Sequence, residues 1–236
     1  MNVEEPTFPV ISQDIPPQGP RPFNEIAGLW TRSWEMTEDF FRREIPRTSV
    51  PNTIYGVLVF TILTVLITSL TLPLSPGNQS LQQLTSLLDL GKGAAMTIMV
   101  ISLSLCGIIM APLSFYINNG IYFLCARLSG GKGQFTQQAY LNSLYLVPFG
   151  FLAALGNFIG LIPILGFFLS LAYALLIGAF QLVLTIRSLK AVHDFSTGKA
   201  VGTVLIPLLL ALMLVCLGSI LILLMPGVGS IFSEIS

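Results

Sequence analysis

The chain has 236 residues, 53% of them hydrophobic and 9% charged, and its eleven basic side chains balance eleven acidic ones. An ordinary soluble domain is roughly 25% charged, so this chain cannot clothe itself in polar surface, and its length leaves no room for a soluble catalytic domain beside a membrane bundle. The composition predicts an all-α fold, a polytopic membrane helix bundle in contact with the lipid bilayer, and nucleic acid is not an expected partner.

Residues 1–22 carry Glu4, Glu5, Asp14 and six prolines, where a secretory signal needs a basic flank and an apolar run. They read as a Pro-rich flexible tail, with PPQGPRP as an extended tether. Over residues 23–48, Phe23, Ile26, Trp30, Trp34, Thr37, Phe41 and Ile45 recur at steps of three and four, opposite Glu25, Arg32, Glu35, Glu38, Asp39 and Arg42. That period predicts one amphipathic helix on the cytoplasmic side or in the interface. Aromatic residues of this kind anchor helices at a membrane interface, and Trp30, Trp34, Phe41, Arg42 and Arg43 are its candidate contacts with the interface or with a cytoplasmic protein partner.

The stretches 50–88, 93–126, 133–186 and 200–233 contain no charged residue. A span needs about 20 apolar residues, so the third stretch holds two, with a reversal near Pro163 between Gly160 and Gly166. Five spans follow, at about 52–74, 94–124, 137–159, 163–186 and 201–225, in a membrane domain over residues 49–226. Residues 227–236 are then a short external tail. Pro112 and Asn118-Asn119-Gly120 predict that the second helix bends or projects into the cytoplasm. Between the first two spans, Leu81, Leu84, Leu87 and Leu88 predict a helix on the outer membrane surface. Ten of the eleven Lys and Arg residues lie before the first span, between the second and third, or between the fourth and fifth, Lys92 being the exception. Basic residues are held on the cytoplasmic side. The N-terminus is therefore expected in the cytoplasm and the C-terminus outside, in the inner membrane if the source is a bacterium.

Little in the chain suggests chemistry. Cys106, Cys125 and Cys216 all sit in apolar spans, with no metal-ligand spacing or disulfide framework, so no metal, cofactor or catalytic set is expected. His193, the single histidine, lies next to Asp194 in a basic loop and reads as a solvated loop residue. The spans offer no acid, base or histidine for a proton relay. Their polar residues are Asn118, Asn119, Asn142, Asn157 and Gln181, expected as interhelical hydrogen-bond partners or as a polar track for a small solute. The small-xxx-small spacing of Gly156 and Gly160 suits packing within the bundle or dimerisation.

The segment LSGGKGQ, Leu128 to Gln134, echoes an ATPase signature. A nucleotide site also needs G-x-x-x-x-G-K-[ST], whose amides and lysine cradle the phosphates. The two Gly-Lys pairs, Gly91-Lys92 and Gly198-Lys199, lack both the earlier glycine and the hydroxyl. The segment is instead a short cytoplasmic turn between the second and third spans, its glycines permitting the reversal.

Taken with its surroundings, ARLSGGKGQFTQQAYLNSLYLVPFGFLAAL resembles the middle of the Yip domain family, the Ypt/Rab-interacting membrane proteins. FFRREIPRTSVPN before the first span, IPILG in the later turn and IRSLKAVHDFSTGKAV before the last span agree in order, so the resemblance covers about residues 35–225. It implies five spans with a cytoplasmic N-terminus and an outside or lumenal C-terminus. Gly130, Gly131, Phe135 and Gln138 match the family's loop pattern, as structural positions. Eukaryotic members are associated with Rab-type GTPases and with vesicle budding or organelle shape, while the short N-terminus and short final tail here resemble the compact bacterial form. Two functions follow as expectations. One is a non-catalytic membrane scaffold or adaptor, in membrane organisation or trafficking, presenting its N-terminal helix and basic loops to a cytoplasmic partner. The other is a small transporter or channel component, with a homo-oligomer as one expected form and Asn118, Asn119, Asn142 and Gln181 as its path.

Overall fold

The computed structural model describes residues 19–74, 85–86, 91–162 and 165–235. Among them the long elements are all helices: α1 (Phe23–Trp30), α2 (Glu38–Glu44), α3 (Val50–Thr71), α4 (Lys92–Leu128), α5 (Phe135–Ile159), α6 (Gly166–His193) and α7 (Thr197–Ile235). The last five are long and apolar enough to cross a membrane, and they stand where the charge-free stretches put them. Leu81, Leu84, Leu87 and Leu88 of the predicted surface helix, the tail before Gly19 and the turn residue Pro163 lie outside the described residues.

α5 occupies the centre. Its most apolar stretch is 61% buried, whereas no other spanning helix exceeds 28%. Small residues along α5 make this possible by admitting a neighbour on each side. Gly56 of α3 rests on Ser143, and Phe60 of α3 lies so close to Gly150 that a Cβ there would come within 2.1 Å of its ring. On the α6 side, a Cβ at Gly156 would meet Tyr173 at 3.0 Å, and the Tyr173 hydroxyl donates to the Leu152 carbonyl at 2.7 Å. The Gly156 to Gly160 spacing thus packs α5 against α6. The reversal that follows is tight, since a Cβ on Gly166 would stand 2.8 Å from the Ile159 carbonyl oxygen.

Both α4 and α6 run further than the charge pattern predicts. α4 is continuous through Pro112 for 37 residues, about 55 Å at 1.5 Å per residue, against about 30 Å of hydrocarbon. α6 continues past Ile186 to His193 and is stopped by Asp194, whose left-handed backbone (φ 54°) lets its N–H reach the Lys190 carbonyl. Arg187 and Lys190 mark the end of the apolar environment, while the helix itself goes on for two more turns. α7 likewise continues to Ile235 instead of ending near residue 225. Among its described side chains, Ala200, Thr203 and Val204 near its start are buried, and the large ones from Leu205 to Leu217 are exposed.

The N-terminal segment caps one end of the bundle. It is divided into α1, a turn at Ser33–Glu35, α2 and a turn at Ile45–Arg47, where the sequence period predicts one helix. The second piece restarts at Thr37, whose side chain accepts the Phe40 N–H as an N-cap. The break lets both pieces turn their apolar residues onto the bundle. Ile26, Met36 and Phe41 are fully buried in one core with Tyr140, Leu141, Leu144 and Leu184. Three polar ties to the end of α6 hold the cap: Lys190 to Glu38 at 2.6 Å, Arg42 to Asp194 at 3.0 Å, and Arg187 to the Met36 carbonyl at 2.9 Å. The Lys190 ammonium, and then Arg42, hold the Glu38 carboxyl below its ordinary 4.5. A depressed acid contributes stability above its unfolded value and loses it as the pH falls through the folded one, so acid loosens this tie, by at most about 1 kcal/mol for so exposed a pair.

Candidate functional site

A cluster of closely constrained residues meets where the α4–α5 loop touches the end of α6. Gly130 has φ +84°, a backbone that glycine adopts without strain. A Cβ on Gly131 would stand 2.6 Å from His193 Nδ1, and one on Gly133 would stand 2.3 Å from Val192 Cγ1 and 2.4 Å from the Val192 carbonyl oxygen. The loop glycines therefore permit a direct backbone contact as well as a reversal. Phe135 opens α5 with its ring edge-on to Phe123 at 5.7 Å.

His193 is not a solvated loop residue. It is 2% exposed, at the last turn of α6. The Gly133 N–H donates to its Nδ1 at 3.2 Å, which leaves Nε2 to carry the proton and donate to Gln138 Oε1 at 3.0 Å. Gln138 in turn donates to the Asn119 carbonyl at 2.9 Å. From there a seam of polar side chains runs into the bundle. Asn142 Nδ2 donates to Asn119 Oδ1 at 2.6 Å, and Asn142 Oδ1 accepts from Ser188 at 2.7 Å and Tyr145 at 2.9 Å. The Tyr145 hydroxyl also lies 2.9 Å from Thr185 Oγ1. The seam joins α4, α5 and α6 without one carboxylate. Among the described residues the imidazole's polar contacts are this amide and this backbone N–H, and the neighbouring Asp194 carboxylate pairs with Arg42 instead, so the imidazole is placed to fix the loop. No cluster of potential metal ligands occurs among the described residues.

Gln138→Leu is expected to destabilise the fold by about 2 kcal/mol, because it strands the His193 Nε2–H and a buried carbonyl. Thermal unfolding in detergent measures this, and a cost near zero would show that the seam holds nothing together.

Deeper in the bundle the seam borders a cavity of about 500 Å³ between α4, α5 and α6, with Phe60 of α3 at one side. Asn118, Asn119, Asn142, Tyr145, Gln181 and Thr185 give it a polar wall. Four of the five span amides singled out in the sequence thus converge on one space, while Asn157 lies exposed near the opposite end of α5.

On the cap, Glu44 is buried and accepts from Arg21 Nε at 2.9 Å and from the same guanidinium's Nη2 at 2.5 Å. Arg47 lies 4.0 Å from it, and the Tyr140 hydroxyl donates to it at 3.4 Å. The five predicted contact residues separate clearly. Phe41 is 0% exposed beneath the cap and presents nothing outward. Trp30 is half-buried, stacked on Tyr55 at 6.0 Å, and Arg42 is engaged with Glu38 and Asp194. Trp34, 67% exposed, stands over an apolar groove lined by Phe149, Phe151 and Phe180, a position suited to a membrane interface. Arg43, Lys132 and Lys199 are exposed. Sequence reasoning missed His193 and Glu44. The available signal was that residues 187–193 contain no glycine or proline to end a helix.

A family model described as the Yip1 domain matches residues 28–231, from α1 through α7. No curated protein and no solved structure matches the chain.

Proposed function

The chain belongs to the Yip1 domain family, and on that footing we propose that it is a non-catalytic membrane scaffold or adaptor whose capped end faces the cytoplasm. The observation that carries this is the cap itself, clamped to α6 by three polar ties and seated on a common core. It is a rigid platform on which Arg43, donating only to the Asp39 carbonyl among the described residues, Lys132 and Lys199 remain outward, while Trp34 sits at the lipid boundary. Its basic character agrees with the cytoplasmic placement of Lys and Arg. A fixed surface of this kind serves a partner without an ordering cost. The test is co-purification of the full chain from its native membrane in mild detergent. The triple variant Arg43→Glu, Lys132→Glu, Lys199→Glu is expected to lose a cytoplasmic protein that the parent retains, with its unfolding temperature unchanged; retention of the same protein by the variant would sink the proposal.

A second function, a small transporter or channel component, is favoured by one observation, the convergence of Asn118, Asn119, Asn142 and Gln181 on a single cavity. Solute flux into proteoliposomes that disappears in Asn118→Leu would support it.

A further inference from the structure

We infer that the cavity between α4, α5 and α6 is a binding site for an uncharged lipid with a hydroxylated head, of the diacylglycerol type, entering sideways from the bilayer. Four observations converge on this ligand. No acid or base lines the cavity, so a phosphate or ammonium would be desolvated there without a counter-ion. The amides of Asn118 and Gln181 face the space and find no hydrogen-bond partner among the described residues; in a hydrocarbon setting such groups require one. A carboxamide offers both a donor and an acceptor, which is the complement of a glycerol hydroxyl. The rest of the wall, including Phe60, Phe115, Leu146 and Leu182, suits acyl chain.

Depth and access point the same way. Gln181 lies about 9 Å along α6 from Arg187, and Asn118 about 13 Å along α4 from Arg127. The polar wall therefore sits about two helical turns below the basic ring that marks the headgroup level, on its hydrocarbon side. α4 packs on α3 and α5, and α6 on α5 and α7, more than on each other, and among its described side chains α7 is buried beside them at Ala200, Thr203 and Val204 while the large side chains from Leu205 to Leu217 are exposed, which leaves a lateral mouth. Toward the capped end the passage is shut by Gln138 and His193, 0% and 2% exposed. A side-opening, uncharged pocket shut toward the capped end receives a lipid more readily than it conducts a solute.

The test uses the full chain in phosphatidylcholine vesicles carrying a trace of photoactivatable diacylglycerol, with phosphatidylglycerol of the same chains as the anionic comparison. The neutral probe is expected to label α4 and α6 around the cavity. Labelling should fall roughly tenfold in Gln181→Leu, which removes the amide, and in Gly178→Leu, which fills the space. The second variant keeps every polar group, and a Cβ at Gly178 meets nothing within 4 Å, so an unfolding temperature equal to the parent's is expected. Equal labelling of parent and both variants, or equal labelling by the anionic probe, would overturn the assignment. So would glycerol uptake by the vesicles that depends on Asn118, because the same hydroxyl chemistry would then come from water. These outcomes leave the platform's partner untouched, since Gly178 and Gln181 lie away from the cap.

Discussion

Gly133→Val is expected to lower the unfolding temperature of the detergent-solubilised protein by about 10 °C, corresponding to about 3 kcal/mol in a chain of this size. The added Cβ would lie 2.3 Å from Val192 Cγ1 and 2.4 Å from the Val192 carbonyl oxygen. A side chain can rotate aside, but a helical carbonyl cannot, so the loop must lift from α6. Lifting it also breaks the Gly133 N–H bond to His193 and disturbs the tautomer that serves Gln138. The internal control is Gly198→Ala, where a Cβ meets nothing within 4 Å and alanine favours the helix; it should be neutral or slightly stabilising. Equal stability of Gly133→Val and the parent protein would show that the loop does not rest on α6.

The second large effect is expected at Glu44. Glu44→Ala should cost about 3–5 kcal/mol, the range for removing one partner of a buried charge pair. The carboxylate is 2% exposed and stands between Arg21 and Arg47, whose side chains are 19% and 12% exposed. Without it, two guanidinium groups face each other under the cap, and the Tyr140 hydroxyl loses its acceptor. Replacing Arg21 and Glu44 together by methionine should recover most of the loss, because apolar side chains of that size leave one fewer buried charge than the single variant does. Thermal unfolding of the two single variants and the double gives the coupling directly, and purely additive losses would contradict a shared ion pair.

Much of the fold was legible because charge is so costly in hydrocarbon. A run without Lys, Arg, Asp or Glu reports bilayer directly, and five spanning helices follow from it. The same rule explains the errors. Arg187 and Lys190 show only where lipid ends, and the helix carries His193 onward into a protein-lined site beneath the loop. Charge pattern describes solvent, and solvent does not stop a helix; a left-handed residue such as Asp194 does. The cap shows a related limit. Its apolar stripe correctly named Ile26, Phe41 and Trp30 as residues that seek cover, but period alone does not say that the chain's own α5 and α6 supply the cover, or that Thr37 divides the segment. The seam was half visible. Asn119 and Asn142 stood out as amides in apolar spans and Gln138 as a position of the loop pattern, whereas nothing marked Ser188, and only the packing of three helices brings them together.

The platform is the central claim, and site-specific photo-crosslinking in intact cells tests it most directly. A photoreactive amino acid is placed at Arg43, Lys132 or Lys199 on the capped end, and in a parallel strain at Gly91 on the opposite end. The account predicts that the three capped-end positions capture one and the same cytoplasmic protein and that position 91 does not. Capture of that protein from position 91, or no protein crosslink from any of the three capped-end positions, would contradict it.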